Sequence, residues 1–154
     1  MFKIILFIFF LIASFIFPCN ANEENYKTPA NLVVNNFEIS EITDLSHPVC
    51  TLNLDDNSNE HFYNYIEGDI CPVGGGNCTY SAVMKLNGKI TILKKVYSEE
   101  NASFFKNENF FATTKPTTIA KSIENDEGSY VSAVISIETK NGEKKFDMAG
   151  YCGI

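Results

Sequence analysis

Apolar and polar residues alternate most regularly between Cys78 and Val96, where Tyr80, Ala82, Met84 and Leu86 interleave with Ser81, Val83 and Lys85 as far as Asn87-Gly88. A period of two marks a strand with one face buried. Asn-Gly suits the two central positions of a type I′ turn, which both need positive φ, so the stretch predicts a β-hairpin. A second hairpin runs from Val131 to Cys152. There Val131, Ala133, Ile135 and Ile137 alternate with Ser132, Val134, Ser136 and Glu138, the chain turns near Asn141-Gly142, and it returns through Phe146 and Met148.

Weaker patterns fill in the remainder. Leu32–Val34 and Phe37–Ser40 read as short strands, and Val49–Leu54 as a strand with Cys50 on its buried face. Phe62, Tyr63, Tyr65 and Ile66 form an aromatic-rich strand that Glu67-Gly68-Asp69 should end. Ser98-Glu99-Glu100 resembles a helix N-cap followed by acids that complement the helix dipole, so a short helix is expected to about Phe105. Asn107 to Thr114 returns to strand character. Lys115 to Gly128, with Pro116 and Asn125-Asp126-Glu127-Gly128, reads as a long loop with one short ordered piece at Thr118–Ser122. About eight short strands and at most one short helix imply an all-β, mainly antiparallel domain, either a small barrel or a sandwich.

The first residues change the compartment. Lys3 precedes an uncharged apolar run from Ile4 to Phe17, and small residues lie near Ala21. That is the layout of a signal peptide over residues 1–21, too short for a spanning helix, which needs roughly 20 apolar residues. The mature chain, 22–154, is then a single domain in the periplasm or outside the cell, with no transmembrane span after cleavage. Four cysteines remain in it, Cys50, Cys71, Cys78 and Cys152. An even number in an exported chain favours two disulfides over metal ligands. Three connectivities are open; the reading adopted pairs Cys71 with Cys78, around the Gly74-Gly75-Gly76 loop, and Cys50 with Cys152.

Charge removes one class of partner. The formal net charge is −7, and ten acids face a single base, Lys27, between Glu23 and Asp69. The chain has no arginine. Nucleic-acid recognition, which relies on basic patches and bidentate guanidinium groups, is therefore not expected. An acidic half suits a basic protein partner. Candidate chemistry is sparse. A nucleophilic triad needs an imidazole base, yet His47 and His61 stand outside any nucleophile or metal motif and read as ordinary surface residues. Asp55 to Glu60 offers oxygen ligands, but without the spacing of a calcium loop. No cofactor motif and no metal site are expected, and the chain reads as a non-enzymatic binding protein. Tyr63, Tyr65, Phe104, Phe105, Phe110 and Phe111 are either core or a binding strip for sugar or protein.

Two segments resemble one family. Ser81 to Lys89, running on to Leu93-Lys94-Lys95, is similar to a hairpin ending in Leu-Lys in the bacterial periplasmic inhibitors of animal-type lysozyme, which include adhesin complex proteins. Gly128-Ser129-Tyr130, followed by Lys140 and Gly142, resembles that family's Ser-Gly-x-x-Tyr segment with its later Lys-Gly. The resemblance implies an eight-stranded barrel and an inhibitor that inserts a serine and a lysine between the catalytic carboxylates of a basic lysozyme-like hydrolase. Carried over, the contact residues are Lys140, Ser129, Tyr130 and Asp126. Asp126 stands where the family has its serine, and the tryptophan beside the lysine is absent. The alternative is a surface adhesin or immunity-type module that binds another protein or a glycan.

Overall fold

The computed structural model describes residues 31–54, 61–121 and 128–153; the expected signal peptide lies outside them. Nine strands are present among the described residues: β1 (Val34–Asn35), β2 (Leu45–Asn53), β3 (Tyr65–Ile70), β4 (Thr79–Leu86), β5 (Lys89–Glu99), β6 (Ala102–Lys106), β7 (Phe111–Lys121), β8 (Ser129–Thr139) and β9 (Gly142–Cys152). From β2 to β9 each strand pairs antiparallel with the next. β9 then pairs with β2, so eight strands close into an up-and-down barrel. Of the two expected architectures, the barrel is the one formed.

Both hairpins follow from their local sequence. Asn87 and Gly88 take φ of +50° and +79°, the two positive values that a type I′ turn requires. Ala82, Met84 and Leu86 point into the lumen with Leu52, Tyr65, Leu93, Phe105, Ile135 and Ile137. An eight-stranded barrel is just wide enough for side chains to fill, and these residues fill it. In the second hairpin Thr139 pairs with Gly142, so the turn residues are Lys140-Asn141, one place earlier than expected. The alternation holds, with Val131, Ala133, Ile135 and Ile137 buried.

β1 adds to β4 past the start of β3, through Val34↔Leu86 and Asn35↔Lys85. Its asparagine neighbour is tied to the central turn, because Gly88 N–H donates to Asn35 Oδ1 at 2.7 Å and Val33 N–H to Asn87 Oδ1 at 2.8 Å. Leu32 and Val34 thereby complete the core at that end of the barrel, where the Lys144 ammonium donates to the Leu32 carbonyl at 2.7 Å. The expected strand over Phe37–Ser40 does not form. Phe37 makes one bridge, with Tyr63, and Ile39–Glu41 is a single 3₁₀ turn held by Glu38 and Glu41 and by a 2.7 Å ion pair from Lys85 to Glu41. The segment lies over the outside of β3 and β4, where Phe37 and Ile42 cover Ile66 and Val83 in a second small core. That cover explains why Val83, on the outward side of its strand, is fully buried.

Three further expectations are corrected by pairing between distant residues. No helix follows Ser98: β5 runs to Glu99, pairs Glu99 with Ala102, and turns through Glu100-Asn101, because burying Phe105 in the lumen rewards strand over local capping. β3 passes through Glu67-Gly68-Asp69 instead of ending there. β7 begins at Phe111, since Asn107 Oδ1 accepts the N–H groups of Asn109 and Phe110 and makes a turn of 107–110. It then continues through Pro116 to Lys121, where a loop was expected. Thr114 is the last β7 residue with a β6 partner, so Pro116 sits on a one-sided segment, the place in a sheet where a missing N–H is tolerated.

The disulfides pair as expected, Cys50 with Cys152 and Cys71 with Cys78. The first joins register partners across the β2–β9 pair that closes the barrel. The two bridges should differ in weight, because a 102-residue separation constrains the unfolded chain far more than one of 7. In the chain-entropy model that is about 4 to 5 kcal/mol against about 2. Urea unfolding of Cys50→Ser/Cys152→Ser should accordingly show roughly twice the loss seen for Cys71→Ser/Cys78→Ser; equal losses would show that seam closure is not what the long bridge supplies.

Candidate functional site

The residues expected to act together do not form one compact site. Ser129 and Tyr130 open β8 and Lys140 follows its other end. Eleven steps of extended chain at about 3.3 Å each place them roughly 35 Å apart. Asp126 lies outside the described residues. Lys140 stands exposed on its tight turn and helps to line an open depression of about 300 Å³ between the β6–β7 and β8–β9 turns, together with Phe110, Phe111, Lys106, Glu108 and Glu138. At the opposite end, Tyr130 is exposed and meets Tyr151 edge to face, with ring centroids 5.5 Å apart. The Cys71–Cys78 loop protrudes at that end too, and Val73 at its tip is 86% exposed.

The aromatic residues divide between core and surface. Tyr65 and Phe105 are fully buried in the lumen. Phe104 and Phe111 point outward and join Tyr97, which stacks on Phe104 with centroids 4.2 Å apart and planes 18° apart; Phe104 and Phe111 are 6.0 Å apart. The ladder clamps β5, β6 and β7 together on the outside of the barrel.

The most concentrated polar chemistry was not anticipated from the sequence. Glu67, assigned to a strand end, lies in the lumen and is buried. Tyr65 OH donates to its Oε1 at 2.5 Å and Tyr80 OH to its Oε2 at 3.0 Å, while Thr114 Oγ1 lies 2.5 Å from the Tyr65 oxygen. Lys95 covers the Tyr80 ring with its ammonium 4.7 Å from the centroid. A buried carboxylate requires hydrogen-bond donors; the Tyr65 and Tyr80 hydroxyls of β3 and β4 supply them, and Thr114 of β7 bonds the Tyr65 oxygen. The available signal was the period of two, which puts Tyr65, Glu67 and Asp69 on one face of β3. Burial, and then the neighbouring Glu67 carboxylate, push both phenol pKa values above the ordinary tyrosine range. At neutral pH the phenols therefore keep their protons, and the cluster acts as a fastener inside the barrel rather than as an acid–base pair.

Charge is unevenly distributed. Among the described residues, 31–70 hold no lysine and five acids, four of them besides the buried Glu67, while 79–121 hold seven lysines and three acids. His47 and His61 are both exposed, and His47 Nδ1 meets Ser46 Oγ at 2.8 Å. No helix among the described residues is long and apolar enough to cross a membrane. Comparison with protein-family models, curated proteins and solved structures finds no match. The geometry alone therefore carries the functional argument.

The lumen cluster makes a test in alkali. A phenol pKa raised in the folded state contributes stability that is fully present below the unfolded value, about pH 10, and is lost as pH rises through the folded value. Absorbance at 295 nm should show Tyr65 and Tyr80, two of the seven tyrosines, ionising only together with unfolding above pH 10. In Tyr65→Phe one late-titrating phenol should vanish. Titration of all seven near pH 10 with the near-ultraviolet spectrum intact would contradict the buried network.

Proposed function

We propose that this chain is an exported, non-enzymatic binding protein that inhibits a basic lysozyme-like hydrolase, with Lys140 as the group that enters the enzyme's cleft. The observation that carries the reading is the placement of Lys140. It is exposed at a tight turn between two paired strands, beside a depression lined in part by Phe110 and Phe111, and makes no ion pair among the described residues. An ammonium displayed in this way can reach a recessed carboxylate with little loss of side-chain freedom elsewhere. The acids on the β1–β3 side supply long-range attraction to a basic enzyme.

A second reading, a surface adhesin or immunity-type module, draws on the roughly 35 Å between Lys140 and the Ser129–Tyr130 pair. A domain with separate surfaces at its two ends suits a protein that bridges partners better than one that plugs a single cleft.

The two are separated by titrating the oxidised mature protein into a peptidoglycan-lysis assay with an animal-type lysozyme. Inhibition should be stoichiometric, weaken as salt is raised, and fall about 30-fold or more in Lys140→Ala, the equivalent of about 2 kcal/mol for truncating one member of a desolvated charge pair. A folded sample without effect, or a Lys140→Ala variant as potent as the parent, would rule out this mechanism and favour the adhesin or immunity reading.

A further inference from the structure

Lys94 and Lys106 are register partners on the antiparallel strands β5 and β6. Their neighbours Leu93 and Phe105 are fully buried in the lumen, so both lysines point outward. Like charges directly opposite each other destabilise a sheet, and neither lysine has an acidic partner among the described residues. The pair itself offers the sheet no attraction. Around it the outer face is apolar as well as basic: Ile92, Val96 and Tyr97 are 37%, 44% and 45% exposed, and Phe111 is the β7 register partner of Lys106. Tyr97 stacks on Phe104, with Phe111 beside it.

We propose that the outer face of β5 and β6 is a docking site for an acidic, amphipathic segment of a protein partner, whose carboxylates meet Lys94 and Lys106 while its apolar side chains cover Ile92, Val96 and Tyr97. Charge complementarity selects the segment, and the interleaved apolar residues distinguish it from other anions. An acidic polysaccharide would use the lysines but leave the aliphatic side chains of Ile92 and Val96 wet. A second copy of this chain would bring lysine to lysine. The site is distinct from the Lys140 contact, although Lys106 also rims the depression beside it.

The test uses a short monomeric peptide of alternating Glu and Leu, with polyglutamate and alginate as competitors, and follows fluorescence anisotropy with the oxidised mature protein. The peptide should bind in a salt-sensitive manner. Binding should fall about tenfold or more in Lys94→Glu/Lys106→Glu, several-fold in Ile92→Ser/Tyr97→Ser, and less than twofold in Lys140→Ala, which separates this site from the proposed inhibitory contact. Lys94→Glu alone, which turns the like-charge pair into an opposite-charge pair, should weaken the peptide several-fold. No binding by folded protein, polyglutamate or alginate binding as tightly as the peptide, or undiminished binding by the folded double variant would each overturn the proposal.

Discussion

Closure of the barrel between β2 and β9 is the constraint on which the rest of the structure depends. Seven of the eight barrel pairings join strands consecutive in sequence, and each can form locally. The eighth joins residues about a hundred positions apart through only four register pairs, Cys50↔Cys152 to Asn53↔Ala149. Long-range pairing is the last to be rewarded because its loop-closure entropy must be offset first. Two local features compensate. The disulfide joins the register partners at one end of the seam. Gly150 lets the strands meet closely, since a Cβ there would stand 2.0 Å from the Thr51 carbonyl oxygen.

Once the seam is closed, the lumen becomes a sealed volume that must be filled and satisfied. Apolar residues from all eight strands supply most of the filling. Glu67 is the exception, and its burial is tolerable because two phenols donate to it and Thr114 supports one of them. These contacts join β3 and β4 to β7 across the lumen, so they work in the direction that the hydrogen-bond ladder cannot. The N-terminal segment performs a comparable task outside. It caps one end through Leu32 and Val34 and covers β3 and β4 through Phe37 and Ile42, which removes from solvent an apolar strip that would otherwise be an exposed patch.

The sequence disclosed what was local and concealed what was not. Asn87-Gly88 and the alternation around it specify a hairpin without reference to any other part of the chain, and the even cysteine number was enough to suggest the staples. Ser98-Glu99-Glu100 misled because a capping signal is worth about 1 kcal/mol, less than burying Phe105 in the lumen. Pro116 misled because a proline argues against a central strand, and nothing local indicates that β6 stops short of it. The second turn was legible to within one place, expected near Asn141-Gly142 and formed by Lys140-Asn141. The Glu67 cluster was not, since its members come from three strands, β3, β4 and β7, and the register that gathers them exists only after the barrel closes.

A closed and filled barrel has few places left for function. Its interior is occupied and its backbone groups are largely paired within the ladder, so recognition falls to the turns and the outer faces. Charge is distributed to match: acids gather on the β1–β3 side and lysines on β4 to β7, which gives one small domain two electrostatically opposite sides. The lysine-rich side is not uniform either. Lys85 is neutralised by Glu41 at 2.7 Å, whereas Lys94 and Lys106 stand opposite each other across β5 and β6 with no ion pair among the described residues. Like charges in register work against the sheet that holds them, so the positive field is strongest where the ladder gains least from it.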